Sequence, residues 1–189
     1  MNEIKLEKLL QNKEYFIENA RKNKLFIYPT DTIYWIWAIA NKENSKKIYW
    51  IKNREKNKAL SIIAPNKERI KNNFIVNDNF DKRFDYYFYK FHWITIILEK
   101  KNKSILKGIW KENKVWVRII KSKFQELVNE LWEAFITTSA NISWIEYKQD
   151  FKHFKTYFWN DIDFFIDWWN LSLQASKIID FTDWEKIIR

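Results

Sequence analysis

Cysteine is absent from this sequence of 189 residues, and histidine occurs only twice. The absence of cysteine excludes disulfides, thiol nucleophiles and zinc sites with cysteine ligands. The two histidines, His92 and His153, leave little for a histidine-rich metal site, and we interpret both as structural or surface residues. We therefore expect no metal bound by protein ligands, and any chemistry has to come from other side chains.

Glycine is nearly absent, since the chain has one glycine and twelve tryptophans. An average globular protein of this length contains about 13 glycines, a number that the glycine and the tryptophans together would match. Turns need glycine because it adopts positive φ without steric cost. We hypothesise that many of these tryptophans stand where the functional protein has glycine, because UGA codons that the source reads as glycine were translated as tryptophan.

Long apolar runs are also missing. No stretch approaches the roughly 18 uncharged apolar residues of a membrane span, and residues 1–10 alternate charged and apolar side chains, unlike a signal peptide. We expect a cytoplasmic protein without membrane contact. The 47% of hydrophobic residues are enough for a sizeable core, and no repeat or linker divides the sequence, so a single domain over 1–189 is predicted.

The net charge is strongly positive, +10 at pH 7 with a pI near 9.5. Such a charge favours polyanionic partners such as nucleotides or RNA. Much of the excess is lysine spread evenly among asparagine and isoleucine, so a solvated lysine-rich surface that reflects codon usage explains the charge equally well.

Apolar periodicity predicts alternating helices and strands, which indicates an α/β protein with a mixed, largely buried sheet and helices packed against it. Ligands of such sheets bind at loops beyond the strand ends. Ser122, with Gln125 three residues later, predicts a capping box at one helix start. The predicted helices span 3–21, 42–52, 81–91, 122–131 and 151–158, and the predicted strands span 25–28, 60–64, 94–98, 115–120, 135–138, 162–166 and 177–180.

Two polar segments lie in the first third of the chain. Residues 29–34 place two hydroxyls and a carboxylate directly after a strand, where they suit a zwitterionic ligand, although an ordinary turn has the same composition. Lys52 and Arg54, followed by Lys58, can converge on phosphate oxygens. A basic helix end that responds to the helix dipole is the alternative for this segment.

Two further segments lie in the second half. Arg118 interrupts a strand that otherwise favours burial, which indicates an anionic partner, either a ligand or a structural ion pair. Residues 137–143 close a buried strand with small hydroxyl and amide side chains. Such a loop lets backbone N–H groups approach phosphate or carboxylate oxygens, and a plain Asx or Ser turn is the alternative.

Together and in this order, the four segments resemble motifs of the YrdC/TsaC family of threonylcarbamoyl-adenylate synthases. The family pattern Pro-Thr-(Asp/Glu)-Thr-(Val/Ile)-Tyr corresponds to residues 29–34, and its Lys-x-Arg signature to Lys52 and Arg54. Its Val-Gly-Val-Arg strand corresponds to 115–118 and its Ser-Ala-Asn-x-Ser-Gly loop to 139–144. The resemblance extends over roughly residues 25–189.

Seven tryptophans fall on glycines of the family motifs, which supports the glycine hypothesis because random replacement would not select these positions. Indoles there would crowd the binding region, so we expect a partly filled pocket. The seven are Trp35, Trp37, Trp93, Trp116, Trp144, Trp168 and Trp169.

The resemblance implies a YrdC-like twisted mixed sheet with a basic concave cleft. It implies a nucleotidyltransferase that condenses L-threonine, bicarbonate or CO2, and ATP to threonylcarbamoyl-AMP and pyrophosphate, for the threonylcarbamoyl-adenosine modification of tRNA. Mg²⁺ would be held mainly by the ATP phosphates. Transfer to tRNA, or to tRNA-modification proteins, would follow downstream.

The resemblance also assigns site residues. Lys52 and Arg54 would be catalytic because they stabilise charge on the phosphates. The expected ATP contacts are Lys52, Arg54, Lys58, Ser139, Asn141 and Arg189, and the expected threonine contacts are Thr30, Thr32, Arg118 and Ser176.

Two other functions remain open. A non-catalytic YrdC-like module that binds double-stranded RNA or tRNA would keep the basic surface without adenylating anything, and threonine-dependent release of pyrophosphate from ATP distinguishes the two. A carbamoyl-adenylate-forming domain of the kind used in hydrogenase maturation is normally joined to acylphosphatase and cysteine-rich zinc segments, which are absent from this sequence.

Overall fold

The structure is a computed structural model that describes most of the chain. Helices and strands alternate along it, as the sequence predicts. The described residues are 1–55, 58–91, 93–106, 109, 113–131, 133–146, 148, 151–168, 171, 176–182 and 186–188.

The described residues form eleven strands and seven helices. The strands are β1 (Asn2–Lys5), β2 (Phe26–Pro29), β3 (Tyr34–Ile39), β4 (Ser61–Ile63), β5 (Phe74–Ile75), β6 (Ile94–Lys100), β7 (Lys114–Arg118), β8 (Phe135–Ser139), β9 (Phe164–Asp167), β10 (Lys177–Asp180) and β11 (Lys186–Ile187). The helices are α1 (Leu6–Gln11), α2 (Lys13–Arg21), α3 (Lys42–Ile51), α4 (Lys67–Asn73), α5 (Phe80–Phe91), α6 (Phe124–Leu131) and α7 (Phe151–Phe158).

All described strands join one mixed sheet in the order β1-β9-β2-β3-β8-β4-β7-β6-β10-β11, and β5 pairs with β6. The centre is antiparallel, because β3 pairs antiparallel with both β2 and β8, and β4 pairs antiparallel with β8. Parallel pairs flank it, between β4 and β7 and between β2 and β9. The predicted α/β class with a mixed sheet is therefore confirmed.

The sheet is buried on both faces, which explains why its central strands read as continuous apolar runs instead of alternating. All six residues of β3 are buried. Odd-numbered β3 residues such as Trp37 pack in one core with side chains of α1, α2 and α6. Even-numbered ones such as Ile36 pack in the other core with side chains of α3, α4, α5 and α7.

Several elements differ from the sequence prediction, which contains no helix at α4 and no strand at β5 or β11. The helix predicted over 3–21 begins instead with β1, because residues 2–5 pair with β9, and this pairing overrides the helical spacing of the leucines. The remainder divides into α1 and α2 at Asn12, whose φ of −124° and ψ of 42° leave the helical region. Strand β3 was not predicted, because its uninterrupted apolar character has no period.

The predicted capping box of Ser122 and Gln125 is wrong. α6 begins at Phe124, and the Ser122 hydroxyl has no hydrogen-bond partner among the described residues. The Gln125 side chain instead accepts from Ile120 N at 3.0 Å and donates to Pro65 O at 2.8 Å, so it joins two loops and does not cap its own helix.

Within the described part of the chain, every helix is too short or too polar to cross a bilayer.

Candidate functional site

Lys52 lies at the carboxyl end of α3, and its side chain points into the protein although it carries an ammonium group. Only 1% of the residue is exposed. The Lys52 Nζ donates to the backbone oxygen of Ser139, to the backbone oxygen of Asn141 at 2.6 Å and to Asn141 Oδ1 at 3.1 Å. These contacts bring together two segments that are far apart in the sequence, and we call Lys52, Ser139 and Asn141 the lysine cluster.

Hydrogen bonds made by the loop after β8 itself also fix its conformation. Ser139 Oγ donates to Asn141 Oδ1 at 2.7 Å, and Ser143 N donates to Lys52 O at 2.8 Å. Ala140 N donates to Tyr34 O at 2.9 Å. The amide and hydroxyl groups of this loop are therefore fixed before any ligand arrives, which lowers the entropy cost of binding an anion there.

Burial lowers the pKa of Lys52 to about 7, and repulsion from the nearby Arg54 acts in the same direction. Three oxygen acceptors surround the ammonium, which favours its charged form, but no carboxylate among the described residues forms an ion pair with it. A phosphate close to this ammonium would supply the missing negative charge.

Arg54 and Lys58 lie beside the lysine cluster. Arg54 Nε donates to Lys58 O at 3.2 Å, and Arg54 Nη2 donates to Ala59 O at 2.8 Å. Burial lowers the pKa of the half-buried Arg54 guanidinium. Lys58 Nζ lies 4.1 Å from the centre of the Trp144 ring, at the end of the loop after β8. Five of the six predicted ATP-binding residues therefore occupy one end of the sheet.

Arg118, near the end of β7, is buried with an acidic partner. Arg118 Nη2 donates to Asp31 Oδ1 at 2.6 Å, and the side chains are only 1% and 3% exposed. Arg118 Nε and Nη1 are buried and have no hydrogen-bond partner among the described residues. Because unsatisfied buried donors are costly, these two groups point to an anionic or carbonyl ligand that the described residues do not supply.

The turn between β2 and β3 fixes Asp31. Thr30 Oγ1 accepts from Thr32 N at 3.0 Å and donates to Ile33 O at 2.7 Å, and the two threonine hydroxyls are 2.9 Å apart. Lys121 N donates to Asp31 Oδ2 at 3.1 Å. We call Thr30, Asp31, Thr32 and Arg118 the arginine cluster. The sequence predicts that the Asp31 carboxylate suits a zwitterionic ligand, whereas in the structure it accepts from Arg118 and from Lys121 N.

Ser176 lies next to the arginine cluster. Its hydroxyl is 3.0 Å from the hydroxyl of Thr95 on β6, and both residues are buried. Thr95 precedes Ile96, whose partner on β7 is Val117, so Thr95 and Arg118 occupy neighbouring positions of adjacent strands. The structure thus brings together all four predicted threonine-binding residues, and it adds Thr95, to which the motifs assigned no contact.

Trp35 on β3 links the two clusters. Its backbone is the register partner of Ser139 in β8, and its ring centre lies 4.9 Å from Arg118 Cζ. The Trp35 Nε1 group is buried and has no hydrogen-bond partner among the described residues. The indole thus covers the guanidinium at the place where a ligand would meet it, as expected for a bulky residue at a glycine position.

Trp116 and Trp144 are two further tryptophans that stand at glycines of the family motifs. Trp116 is two residues before Arg118 on β7, so its side chain points to the same face of the sheet, and its register partner is Ser61. Trp144 has a φ of 72°, in the left-handed region that favours glycine. By contrast, the indole of Trp37 is packed between Phe26 and Phe135, although its Nε1 also lacks a partner among the described residues.

A cavity of about 410 Å³ opens beside the arginine cluster. Thr30 and Asp31 line it on one side, and Lys121 and Lys123 line it on another. Trp93 and Trp168 also line the cavity, so two of the seven tryptophans at motif glycines reduce its volume. The remaining lining residues are Leu6, Pro29 and Ser122.

Three residues of the sequence analysis lie outside the described residues. They are His92, Trp169 and Arg189, the last of which was an expected ATP contact.

Comparison with known proteins gives a consistent result. The matching family model is Sua5/YciO/YrdC, described as telomere recombination, and it covers residues 18–189. A Methanocaldococcus jannaschii protein named "Putative threonylcarbamoyl-AMP synthase" is 36% identical over 147 residues. These residues make up 76% of this chain and 65% of that protein.

Solved structures share the fold. The crystal structure of P. abyssi Sua5 complexed with L-threonine superimposes with a TM-score of 0.78 at 21% identity, over 96% of this chain and 54% of that chain. E. coli YciO gives a TM-score of 0.80 at 17% identity, over 99% of this chain and 92% of that chain. This chain therefore spans about half the length of Sua5 and nearly all of YciO.

Proposed function

The chain belongs to the Sua5/YciO/YrdC family, and from this membership we propose that it is a threonylcarbamoyl-adenylate synthase. As a nucleotidyltransferase, it would condense L-threonine, bicarbonate or CO2, and ATP to threonylcarbamoyl-AMP and pyrophosphate. The product would supply the threonylcarbamoyl-adenosine modification of tRNA. We place this reaction in the cytoplasm, with tRNA or tRNA-modification proteins receiving the product.

The observation that carries the proposal is the arrangement of the two clusters around Trp35. Lys52, Arg54 and Lys58 provide cations at one end of this residue, beside the loop after β8, and Arg118 provides two unused N–H groups at the other. The first set suits a triphosphate, and the second suits the carboxylate of an amino acid. A single site for ATP beside threonine requires both.

The proposed reaction needs no covalent enzyme intermediate. The threonine amine, as the free base, first forms a carbamate with CO2 and releases a proton to water. A carbamate oxygen then attacks the α-phosphorus of ATP while the bond to the pyrophosphate oxygen breaks. Lys52 and Arg54, with Lys58 nearby, stabilise the charge on the phosphates and on the departing pyrophosphate. Arg118 holds the threonine carboxylate, and Thr32 and Ser176 hold its other polar groups, so catalysis is mainly positioning.

Mg²⁺ is part of the proposal as a companion of ATP. Among the described residues, no group of three or more acidic or histidine side chains could hold a metal ion, and Lys52 of the lysine cluster is a cation. The ligands of the ion would therefore be triphosphate oxygens and water. Such an ion would neutralise phosphate charge during the transfer.

The decisive experiment is threonine-dependent release of pyrophosphate from ATP. It uses two proteins, one with the printed sequence and one with glycine at Trp35, Trp37, Trp93, Trp116, Trp144, Trp168 and Trp169. We expect turnover that requires both threonine and bicarbonate, and higher turnover in the glycine protein because Arg118 is uncovered. Binding of RNA without turnover in either protein would contradict the proposal and favour the RNA-binding alternative.

The site itself is tested by Arg54→Ala, introduced into whichever of the two proteins shows turnover. We expect the turnover to fall below detection while the fold persists, because a charged contact to phosphate contributes about 1.5–3 kcal/mol to binding and more in the transition state. Circular dichroism and the melting temperature report on the fold, and Arg69→Ala on α4 is the control. Turnover retained in Arg54→Ala would remove this residue from the mechanism.

A further inference from the structure

The outer face of α5 carries a combination of exposed aromatic and basic side chains that the proposed reaction does not use. We define this face by Lys82, Tyr86, Tyr89 and Lys90, which follow helical spacing and therefore project from one side. All four are exposed. Tyr86 is 56% exposed and Tyr89 is 82% exposed.

The opposite side of α5 explains how the helix is anchored. Phe80, Phe84 and Tyr87 are buried in the core beneath the sheet. Packing of that inner side therefore stabilises the helix, and Tyr86 and Tyr89 are not needed to hold the helix against the core. Large rings held in solvent on a well-anchored helix form a ready surface for a partner.

The charge of this face is positive. The acidic residues of α5 are engaged on its flank, since Asp81 pairs with Lys71 at 2.9 Å and Asp85 pairs with Lys67 on α4. Lys90 Nζ donates to Tyr86 Oη at 3.2 Å and lies 5.4 Å from the centre of that ring. Lysine and tyrosine thus lie side by side, and Asp85, the acidic residue one turn from Tyr89, is paired with Lys67.

A shallow cavity of about 300 Å³ lies at the amino end of the stripe. Lys82 and Tyr86 line it together with Asn79, Arg83 and Tyr87. It combines a ring, an amide that can bond to a base edge, and two cations that can contact phosphate. A planar heterocycle with an attached phosphate has this chemistry.

We propose that the outer face of α5 binds unpaired nucleotides of RNA, with bases stacked on Tyr86 and Tyr89 and phosphates held by Lys82 and Lys90. Aromatic platforms flanked by cations are how proteins bind single strands without reading sequence. An A-form duplex hides its base faces, so it could use the two lysines but not the two rings. The surface therefore fits single-stranded RNA better than a duplex.

Another side of α5 contacts a residue that lines the candidate site. Lys121, which lines the cavity beside the arginine cluster, lies with Nζ 4.4 Å from the centre of the Phe88 ring on α5. The proposal itself does not depend on the reaction, since the four residues of the stripe belong to neither cluster.

The test measures the anisotropy of a fluorescently labelled oligouridylate of about 12 nucleotides as the protein with the printed sequence is added. We expect Tyr86→Ala/Tyr89→Ala to weaken binding by about tenfold or more, because each base stack contributes roughly a factor of five or more. Tyr157→Ala, which removes an exposed tyrosine on α7, is the matched control and should bind like the wild type.

The two lysines are tested by salt titration. Lys82→Ala/Lys90→Ala should reduce the dependence of affinity on salt concentration, because two fewer phosphate contacts release fewer counterions. Lys46→Ala on α3 controls for the loss of surface charge. Melting temperatures of all variants should stay close to the wild type, since every replaced side chain is exposed.

Several results would overturn the proposal. Unchanged affinity in Tyr86→Ala/Tyr89→Ala would exclude stacking. A duplex of equal length that binds more tightly than the single strand would show that charge alone acts. Competition by poly-glutamate as strong as that by unlabelled oligouridylate would assign the surface to an acidic protein partner. Loss of threonine-dependent turnover without loss of RNA binding would concern the proposed function alone.

Discussion

At the scale of single residues, the buried ion pair of Arg118 and Asp31 sets the character of the site. Such a pair contributes little net stability, because removing two charges from water costs about as much as their attraction returns. The pair holds the guanidinium in one orientation. Nη2 donates to Asp31, and Nε and Nη1 have no hydrogen-bond partner among the described residues. Its role is therefore to position Arg118 for a ligand.

Replacing only one residue of this pair should destabilise the protein. We expect Arg118→Met to lower the free energy of unfolding by about 3–5 kcal/mol, because Asp31 is left charged and buried. Arg118→Met/Asp31→Asn should recover most of this loss, since the amide keeps an acceptor for Lys121 N, but it should not recover threonine binding. Urea unfolding at pH 7 and calorimetry with threonine measure the two effects.

A surface pair supplies the comparison for that experiment. Lys22 and Glu18 form an ion pair four residues apart on α2 with both side chains more than half exposed. Lys22→Met should therefore change the free energy of unfolding by about 0.5 kcal/mol or less. An Arg118→Met loss no larger than this would contradict the buried-pair argument.

Lys52 should make stability depend on pH. Its pKa is about 7 in the folded protein and 10.5 in an exposed lysine. Below pH 7 both states hold the proton and the cost of burying the charge is complete. From pH 7 to 10.5 the folded protein releases the proton while the unfolded chain keeps it, so stability rises with pH.

The comparison protein is Lys52→Met, which lacks this titration. We expect the unfolding free energy of the wild type to increase relative to Lys52→Met between pH 7 and 9, with a slope of up to about 1.4 kcal/mol per pH unit. Urea unfolding at several pH values measures it, and other titrating groups cancel in the difference. Parallel curves for the two proteins would show that Lys52 stays charged in the fold.

Trp144 gives a direct test of the glycine hypothesis on stability. Its positive φ costs a residue with a Cβ about 1–2 kcal/mol, and its side chain is 81% exposed, so little burial is lost on removal. Trp144→Gly should therefore leave the free energy of unfolding unchanged or raise it by up to about 1 kcal/mol.

Trp50 is the matched control for that measurement. It is 72% exposed but lies within α3, where glycine is unfavourable. Trp50→Gly should lower the free energy of unfolding by about 1 kcal/mol. Equal losses of stability in Trp50→Gly and Trp144→Gly would contradict the expectation that position 144 favours glycine. Tryptophan at position 35 or 168 in a tryptic peptide from the native organism would contradict the glycine hypothesis itself.

Motifs identified residues that the structure brings together, but they did not give the partners of these residues. Lys52 and Arg118 stand out in sequence because each is a cation beside an apolar segment. Lys52 holds the loop after β8, and Asp31 holds Arg118. Both contacts join residues that are more than 80 positions apart in the sequence. Local spacing contains no information on such pairs.

At the scale of elements, the amino-terminal cap of α3 connects helix stability with the site. Asn41 Oδ1 accepts from Asn44 N at 2.8 Å, and the helix ends next to Lys52. Asn66 caps α4 in the same way, through Arg69 N at 2.9 Å. The two caps are chemically alike, but only the first belongs to the helix that carries the lysine cluster.

We expect Asn41→Ala and Asn66→Ala each to lower the free energy of unfolding by about 1 kcal/mol. Only Asn41→Ala should also raise the KM for ATP, because fraying of α3 disturbs the position of Lys52. Urea unfolding and pyrophosphate release at varied ATP concentration measure the two effects. A raised KM in both variants would mean that the effect is general destabilisation.

Elements whose composition and flanking residues agree were predictable, and elements defined by their neighbours were not. α3, β6 and β8 were predicted close to their observed bounds because composition and ends agree. β1 was taken as helix, since its four residues become a strand only through pairing with β9. Gln125 similarly reaches the neighbouring loops, which the local capping pattern could not indicate.

At the scale of the whole molecule, alternating helices and strands predicted the α/β class but not the strand order. The order depends on antiparallel contacts at the centre of the sheet, above all the pairing of β3 with β8. That pairing places Ser139 beside Trp35 and so unites the first and fourth motifs. The site also needs the contact of Lys52 with Asn141 and that of Asp31 with Arg118, and no single motif reveals any of the three.

The place of β9 between β1 and β2 has a consequence for biosynthesis. Asn2 lies opposite Phe164, so β1 leaves the ribosome long before β9, the strand with which it pairs. Chains dominated by such distant contacts fold slowly. Until β9 emerges during translation, the apolar edge of β2 stays uncovered, and the nascent protein should depend on chaperones.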